Sequence, residues 1–278
     1  MSLWWVRLKF LPILFWTWWR ALSRVTISKK LLRVVGKTNA EFRLIGEGDR
    51  VLVGLSGGKD SLALIHILKH IQKHAPFKFE FEACTISYGM PGESYAQVAE
   101  HCQEHGIKHT IYDTNIYEIS NDAIRENSSF CSYFSRMRRG ALYTYAEENR
   151  FNKVALGHHL DDTVESFFMN MFYNGTIRAM APIYKTERGF HLIRPLIQVR
   201  ERQLRAFADE NTLHPIGDEA CPAMLKNVKM PHARANIKIW LNELEQENGD
   251  IFKRIKASFK HIHDDTLLDP TRWKRDDI

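Results

Sequence analysis

The stretch Val51-Leu52-Val53-Gly54-Leu55-Ser56-Gly57-Gly58-Lys59-Asp60-Ser61-Leu62 decides the fold of this chain. Its first half is a short continuous apolar run, the pattern of a strand buried on both faces of a parallel sheet. Beyond it, Leu62, Ile65, Leu68 and Ile71 recur at helical spacing. Between strand and helix stands a glycine pair, which lets backbone N–H groups approach an anion closely. The helix N-terminus adds unbonded donors and a partial positive charge. Ser56, Gly57, Gly58, Lys59, Asp60 and Ser61 are therefore the candidate phosphate-binding residues. Asp60 either caps the helix or helps to hold Mg²⁺. The loop is not of the Walker A type, which needs a glycine five residues before the second one and Ser or Thr after the lysine. Here those places are Val53 and Asp60.

Outward from this loop the pattern alternates. Strand-like runs stand at Val51–Leu55, Phe79–Ser87, Ile107–Tyr112, Lys153–Gly157 and His191–Arg194. Helical periodicity stands at Ser61–His74, Tyr95–His105, Tyr133–Asn149, Asp161–Tyr173 and Glu201–Asn211. Such alternation predicts βαβ units and a parallel sheet. The strands stop after about Gln198, and Pro231–Asn248 and Asp250–His263 read as two helices. The expected architecture is α/β, with a five-stranded mainly parallel sheet and a helical C-terminal part. The expected divisions are an extension over 1–27, an α/β domain over 28–197 and a helical region over 198–278. In open α/β sheets the ligand lies at the carboxyl ends of the strands. That rule makes Ile86 and Ser87 candidates to meet a base through backbone groups.

A second candidate turn, Gly157-His158-His159-Leu160-Asp161-Asp162, follows the strand at Lys153 and opens a helix. Gly157, His158, Asp161 and Asp162 are expected at the nucleotide. The plainer alternative is that Asp161 caps the helix and the histidines are solvated. On the following helix, Glu165 and Asn170 either support the loop or are simply exposed.

Composition narrows the class. The chain has 278 residues, 44% hydrophobic and 26% charged, as expected of an ordinary globular protein of one or two domains. This excludes a disordered chain, a collagen and a polytopic membrane protein. Four cysteines exclude a disulfide scaffold and favour a reducing compartment, so the expected location is the cytoplasm. The net charge of +6 is uneven: residues 1–50 hold ten Lys/Arg against three Asp/Glu. Five of the seven tryptophans, Trp4, Trp5, Trp16, Trp18 and Trp19, lie in the first 26 residues, flanked by Arg7, Lys9, Arg20 and Arg24. Three readings fit that segment: an interfacial membrane anchor, a signal peptide or a packing helix. The anchor reading would place the protein at the periphery of the membrane.

The Ser-Gly-Gly-x-Asp-Ser loop resembles the pyrophosphate loop of the PP-loop N-type ATP pyrophosphatases. These have an adenine nucleotide alpha hydrolase-like, Rossmann-like fold, cleave ATP between the α and β phosphates, and adenylate a substrate. The Gly-His-His-x-Asp-Asp turn resembles the second signature of their tRNA-modifying members. Cys131-Ser132-Tyr133-Phe134-Ser135-Arg136-Met137-Arg138-Arg139-Gly140 is similar to the C-x-x-C-S-R-x-R-R-G stretch of the tRNA 2-thiocytidine synthetases. The likeness extends through Lys30–Gly36, Met169–Gly175, Arg194-Pro195-Leu196 and Cys221.

That resemblance implies ATP with Mg²⁺, and an activated C2 oxygen on an anticodon-loop cytosine that sulfur replaces. Lys59, Asp60, Cys131 and Cys221 are the implied catalytic residues. In that family three cysteines hold a 4Fe–4S cluster. Here Cys131 and Cys221 stand at cluster positions, but Phe134 occupies the third, and phenylalanine cannot bind iron. Cys84 and Cys102 read as packing residues. Three readings of the sulfur half stay open: a persulfide and resolving pair, a degenerate cluster with another ligand, or loss of sulfur transfer.

Arg136, Arg138 and Arg139 are candidate RNA contacts, or a solvated helix face. Residues 226–263 add eight Lys/Arg against four acids. Candidate partners are tRNA, a sulfur donor such as a cysteine desulfurase, a membrane surface met by residues 1–26, and a second copy of the chain. The alternatives in function are a thiouridine- or lysidine-forming enzyme, and a non-thiolating ATP-binding protein tethered to membrane.

Overall fold

The apolar run at Val51 becomes the central strand of a six-stranded sheet in the computed structural model, which describes residues 25–123, 130–214 and 232–272. In chain order the elements are α1 (Lys29–Phe42), β1 (Arg50–Gly54), α2 (Lys59–His74), β2 (Glu80–Ser87), α3 (Ala96–Glu104), β3 (His109–Asp113), α4 (Ile116–Ala123) and α5 (Phe130–Glu148). There follow β4 (Lys153–Ala155), α6 (Leu160–Asn174), β5 (Ile183–Lys185), β6 (His191–Ile193), α7 (Glu201–Glu210), α8 (His232–Glu247) and α9 (Ile251–Ser258). The Trp-rich segment and Cys221 lie outside the described residues.

The sheet order is β3-β2-β1-β4-β6-β5, and every neighbouring pair is parallel except β5 with β6. The expected sheet had five strands; the structure has six. The extra strand, β5, is half-exposed to exposed along its length, so it lacks the buried apolar residues that marked the equally short β4 and β6 in the sequence. It forms because the chain turns back at Thr186–Gly189: the Thr186 N–H donates to the Phe190 carbonyl at 2.9 Å. Being antiparallel to the last parallel strand, it closes the sheet edge.

By contact the chain divides into two units. The first holds residues up to His159 together with 181–230; the second holds 160–180 and 231–278. In the first unit both faces of the sheet are covered. Val51, Val53 and Leu55 pack with Leu64, Ile65 and Leu68 of α2 on one face. Leu52, Val154 and Ile86 pack with Leu142 and Ala146 of α5 on the other. Alternate residues of β1 thus serve opposite cores, as period-two geometry requires. Helix α1 begins where Ser28 accepts a hydrogen bond from the Leu31 N–H at 3.3 Å, a side-chain N-cap.

At the amino end of the sheet Asp49 accepts from Lys153 Nζ and the Gly46 N–H, at 2.6 and 2.7 Å, and from Asn152 at 2.8 Å. These bonds join the entries to β1 and β4. Burial alone would raise the Asp49 carboxyl, but Lys153 and the other donors hold it below its ordinary value.

The second unit has its own small core. Leu160 and Val164 of α6 pack with Ile237 and Leu241 of α8 and with Phe252 and Ile255 of α9. Phe168 and Trp240 meet edge to face at 5.0 Å. Glu165 is buried and lies 3.6 Å from the Arg234 guanidinium. Asn170 is no idle surface residue: it donates to the Arg178 carbonyl at 2.9 Å and accepts from Asn174 at 3.1 Å.

Candidate functional site

The site is set by topology. From β1 the chain passes to β2 on one side and, later, to β4 on the other, so strand order reverses between β1 and β4. The register pairs Val53 with Ala155, and the segments that follow both strands leave the sheet side by side. A crevice at such a switch point is where doubly wound sheets place ligands.

The segment after β1 is the glycine-pair loop. Gly57 takes φ +83°, a left-handed conformation that a side chain would strain. Gly58 is the N-cap of α2 and supplies no side-chain cap. The first-turn N–H groups of a helix have no intrahelical acceptor, so here they are left to an incoming anion. Ser61 stabilises the loop from within. Its Oγ donates to the Gly58 carbonyl at 2.9 Å and accepts from the Ser56 N–H at 3.2 Å. The Ser56 hydroxyl lies 3.2 Å from the same oxygen.

Lys59 Nζ lies 3.2 Å from Asp60 Oδ2 and 3.1 Å from Glu201 Oε1. Burial disfavours its charge, yet Asp60 and Glu201 more than offset this and raise it above the ordinary lysine value. The loop therefore carries a fixed cation. Glu201 opens α7, far along the chain, and nothing in its surroundings in the sequence marked it.

The segment after β4 approaches from the other strand. A Cβ at Gly157 would stand 3.2 Å from the Asp60 carbonyl carbon and the Ser61 nitrogen, so a side chain here would push the two segments apart by a few tenths of an ångström. His159 Nε2 lies 3.8 Å from Asp60 Oδ2, and its ring is buried. His158 Nδ1 accepts from Arg194 Nε at 3.3 Å. Arg194 is itself buried, donates to the Ala181 carbonyl at 2.6 Å, and lies over the Tyr184 ring. Gly157, His158 and His159 thus come together with Ser56–Ser61. Asp161 and Asp162 stand in the first turn of α6, in the second unit, with Asp161 buried.

Ile86 lies near the carboxyl end of β2, and its carbonyl accepts from the Tyr95 hydroxyl at 3.3 Å. The turn beyond it is gathered by Glu93, which accepts from the Tyr88 N–H at 2.9 Å and the Gly89 N–H at 3.0 Å. Glu93 also accepts from Ser87 Oγ at 3.2 Å. Sequence reading passed over Glu93 because its role rests on contacts within an irregular turn.

Helix α5 carries Cys131, Phe134 and the arginines. Arg136, Arg138 and Arg139 are exposed. Phe134 is 4% exposed and packs edge to face on Tyr88 at 5.7 Å, within the core beneath β2 and β4. A ring buried among aromatic groups offers iron no donor atom. A cluster ligated at positions 131, 134 and 221 does not fit this chain. Cys84 and Cys102 are buried, and burial raises their thiols to about 12 and about 11. Such thiols are inert packing groups. Among the described residues no helix is long and apolar enough to cross a membrane.

This sheet with its glycine-pair loop defines the class: a PP-loop domain, whose family model matches residues 25–226. Among similar proteins is the tRNA-cytidine(32) 2-sulfurtransferase of Geobacter metallireducens, 41% identical over 242 residues that cover 87% of this chain and 93% of that one. The protein of the same name from Pseudomonas fluorescens is 36% identical over 253 residues, 90% of this chain and 92% of that one. The chain belongs to the tRNA-cytidine(32) 2-sulfurtransferase family. A solved structure, the U34-tRNA thiolase NcsA from Methanococcus maripaludis with its 4Fe–4S cluster, shares the fold. The TM-score is 0.67 at 23% identity, over 85% of this chain and 80% of that one.

Proposed function

We propose that this chain converts an anticodon-loop cytosine of tRNA to 2-thiocytidine at the expense of ATP. The observation that carries the reading is the meeting of Ser56–Ser61 with Gly157–His159 at the switch point, in a chain of this family. The cytosine C2 oxygen attacks the α-phosphorus of ATP, forming a C2–O–AMP bond and releasing pyrophosphate. The pyrophosphate is held by the N–H groups of Gly57–Ser61, and the Lys59 ammonium stabilises the charge that develops on it. A sulfur nucleophile then attacks C2, and AMP leaves with the oxygen.

Mg²⁺ fits this site: the Asp60 carboxylate beside the loop is the oxygen donor such an ion takes together with substrate phosphates. Bound there, the ion would neutralise phosphate charge. Ile86 and Ser87 would flank the adenine. Arg136, Arg138 and Arg139 would neutralise RNA phosphates.

Phe134 favours a cluster-free route for sulfur. A desulfurase-type donor would leave a persulfide on Cys131, whose outer sulfur attacks C2 and expels AMP. The Cys221 thiolate then attacks the Cys131 sulfur of the mixed disulfide. This releases 2-thiocytidine and leaves a Cys131–Cys221 disulfide. A dithiol reductant restores both thiols by taking up the two oxidising equivalents.

The test is nucleoside mass spectrometry on tRNA from cells that lack a 2-thiocytidine enzyme, with and without this chain. Appearance of 2-thiocytidine is expected. A thiouridine, a lysidine or no change would overturn the reading. In the last case liposome binding that depends on residues 1–26 would point to a tethered nucleotide-binding protein.

A further inference from the structure

One cluster of side chains lies outside the machinery described above. His66 projects from α2, and His101 and His105 from α3 and its C-cap. Each offers one ring nitrogen, and these nitrogens lie within 4.8 Å of one another. Among the described residues this is the one such group of three. His66 Nε2 and His101 Nε2 are 2.7 Å apart. The three ring centroids are separated by 4.5 to 4.9 Å.

The spacing is that of a metal site. His101 and His105 are four apart, and the His105 N–H donates to the His101 carbonyl at 3.1 Å. Helical spacing therefore holds through both, and it puts two imidazoles on one face. His66, from the neighbouring helix, supplies the third. Tetrahedral zinc with three histidines needs nitrogens about 3.3 Å apart, given a Zn–N distance near 2.0–2.1 Å. His66 is buried, while the other two rings are half-exposed.

The end of α3 agrees with this spacing. His101 and His105 end their helix, where carbonyl dipoles favour a cation. Without a metal, His66 and His101 share one N–H···N hydrogen bond at 2.7 Å, and an ion would take the place of that shared proton. A metal would satisfy three lone pairs at once. Lys69 stands beside the cluster, and its ammonium is engaged by the His105 and Gly106 carbonyls.

We propose that His66, His101 and His105 bind a divalent transition metal, of which Zn²⁺ is the natural candidate, and so clasp α2 to α3. The fourth position is open to water. Helix α2 begins at the phosphate loop, and His66 lies five residues beyond Ser61, about 7.5 Å along the axis. The clasp would hold the helix that presents the loop. The role is structural and stands apart from the thiolation chemistry.

The experiment is Zn²⁺ titration of the metal-free full chain against a chromophoric chelator, with thermal melting in parallel. Three variants are compared with the parent: His66→Gln, His101→Gln and His74→Gln. The parent should bind one Zn²⁺ that His101→Gln loses or weakens by at least about tenfold. His66→Gln should lose it too, and His74→Gln should keep it. Zn²⁺ should raise the melting temperature of the parent and of His74→Gln by several degrees, and of His101→Gln by little. His101 is half-exposed, so that variant reports even if His66→Gln fails to fold; metal-free circular dichroism checks this. Unchanged Zn²⁺ stoichiometry and affinity in His101→Gln, or no Zn²⁺ bound by the parent, would overturn the proposal.

Discussion

Lys59 Nζ is held between Asp60 Oδ2 at 3.2 Å and Glu201 Oε1 at 3.1 Å, one carboxylate from its own helix and one from the start of α7. The loop cation is therefore positioned before any phosphate arrives. That is the preorganisation an electrostatic stabiliser needs, because no reorganisation is then required during reaction. Lys59→Ala is expected to lower tRNA-dependent AMP formation by about 10²–10³-fold without unfolding the chain. Glu201→Gln should cost less than about tenfold, because Asp60 still orients the lysine. Pyrophosphate exchange assays on both variants decide this, and a Lys59→Ala enzyme near parental activity would remove the loop from the mechanism.

The approach of Gly157 to Asp60 sets a steric condition. Gly157→Ala places a methyl 3.2 Å from the Asp60–Ser61 backbone, and backbone cannot swing aside as a flexible side chain can. Nucleotide affinity should fall by about tenfold or more, roughly 1.4 kcal/mol. The circular dichroism spectrum should stay unchanged. Titration with a non-hydrolysable ATP analogue measures it; parental affinity would mean that the two segments separate when ATP binds.

At the opposite end of the sheet, Asp49 and Lys153 should make the fold sensitive to acid. Asp49 titrates below its ordinary value in the folded chain. Its contribution is thus present above about pH 4, the unfolded carboxyl value, and is lost as pH falls through the folded one. Asp49→Ala, which leaves the Lys153 ammonium with the Leu44 carbonyl and no counter-charge, should cost about 3 kcal/mol at pH 7. The deficit should narrow at low pH. Urea unfolding at several pH values tests this, and a deficit independent of pH would refute it.

Phe134 makes two expectations at once. As a buried ring, its truncation to alanine should cost about 3–5 kcal/mol. As a non-ligand, it should keep anaerobic reconstitution with iron and sulfide well below one cluster per chain. Full loading that disappears in Cys131→Ser would show that another donor completes a cluster.

The sulfur step should separate from the ATP step. Cys131→Ser and Cys221→Ser should each lower 2-thiocytidine by at least about 10²-fold, while AMP formation stays within a few-fold of the parent. Equal loss of both activities would place the cysteines in substrate binding instead.

The sequence by itself determined the class of sheet, the loop and the family. An apolar run, two glycines and a helical repeat are local features, and local sterics and backbone donors give them the same meaning in any context. Its helix positions were close too: the reading at Ser61–His74 becomes Lys59–His74, and that at Glu201–Asn211 becomes Glu201–Glu210. Strand β5 escaped because it buries no apolar run, unlike the equally short β4 and β6, and it is placed by its pairing with β6. What tertiary structure alone decided is every relationship between distant segments. Glu201 reaches Lys59, Arg194 orients His158, His66 meets His101 and His105, and Phe134 enters the core. Each depends on which helix packs against which strand, and that is set by burial of apolar faces across the whole chain.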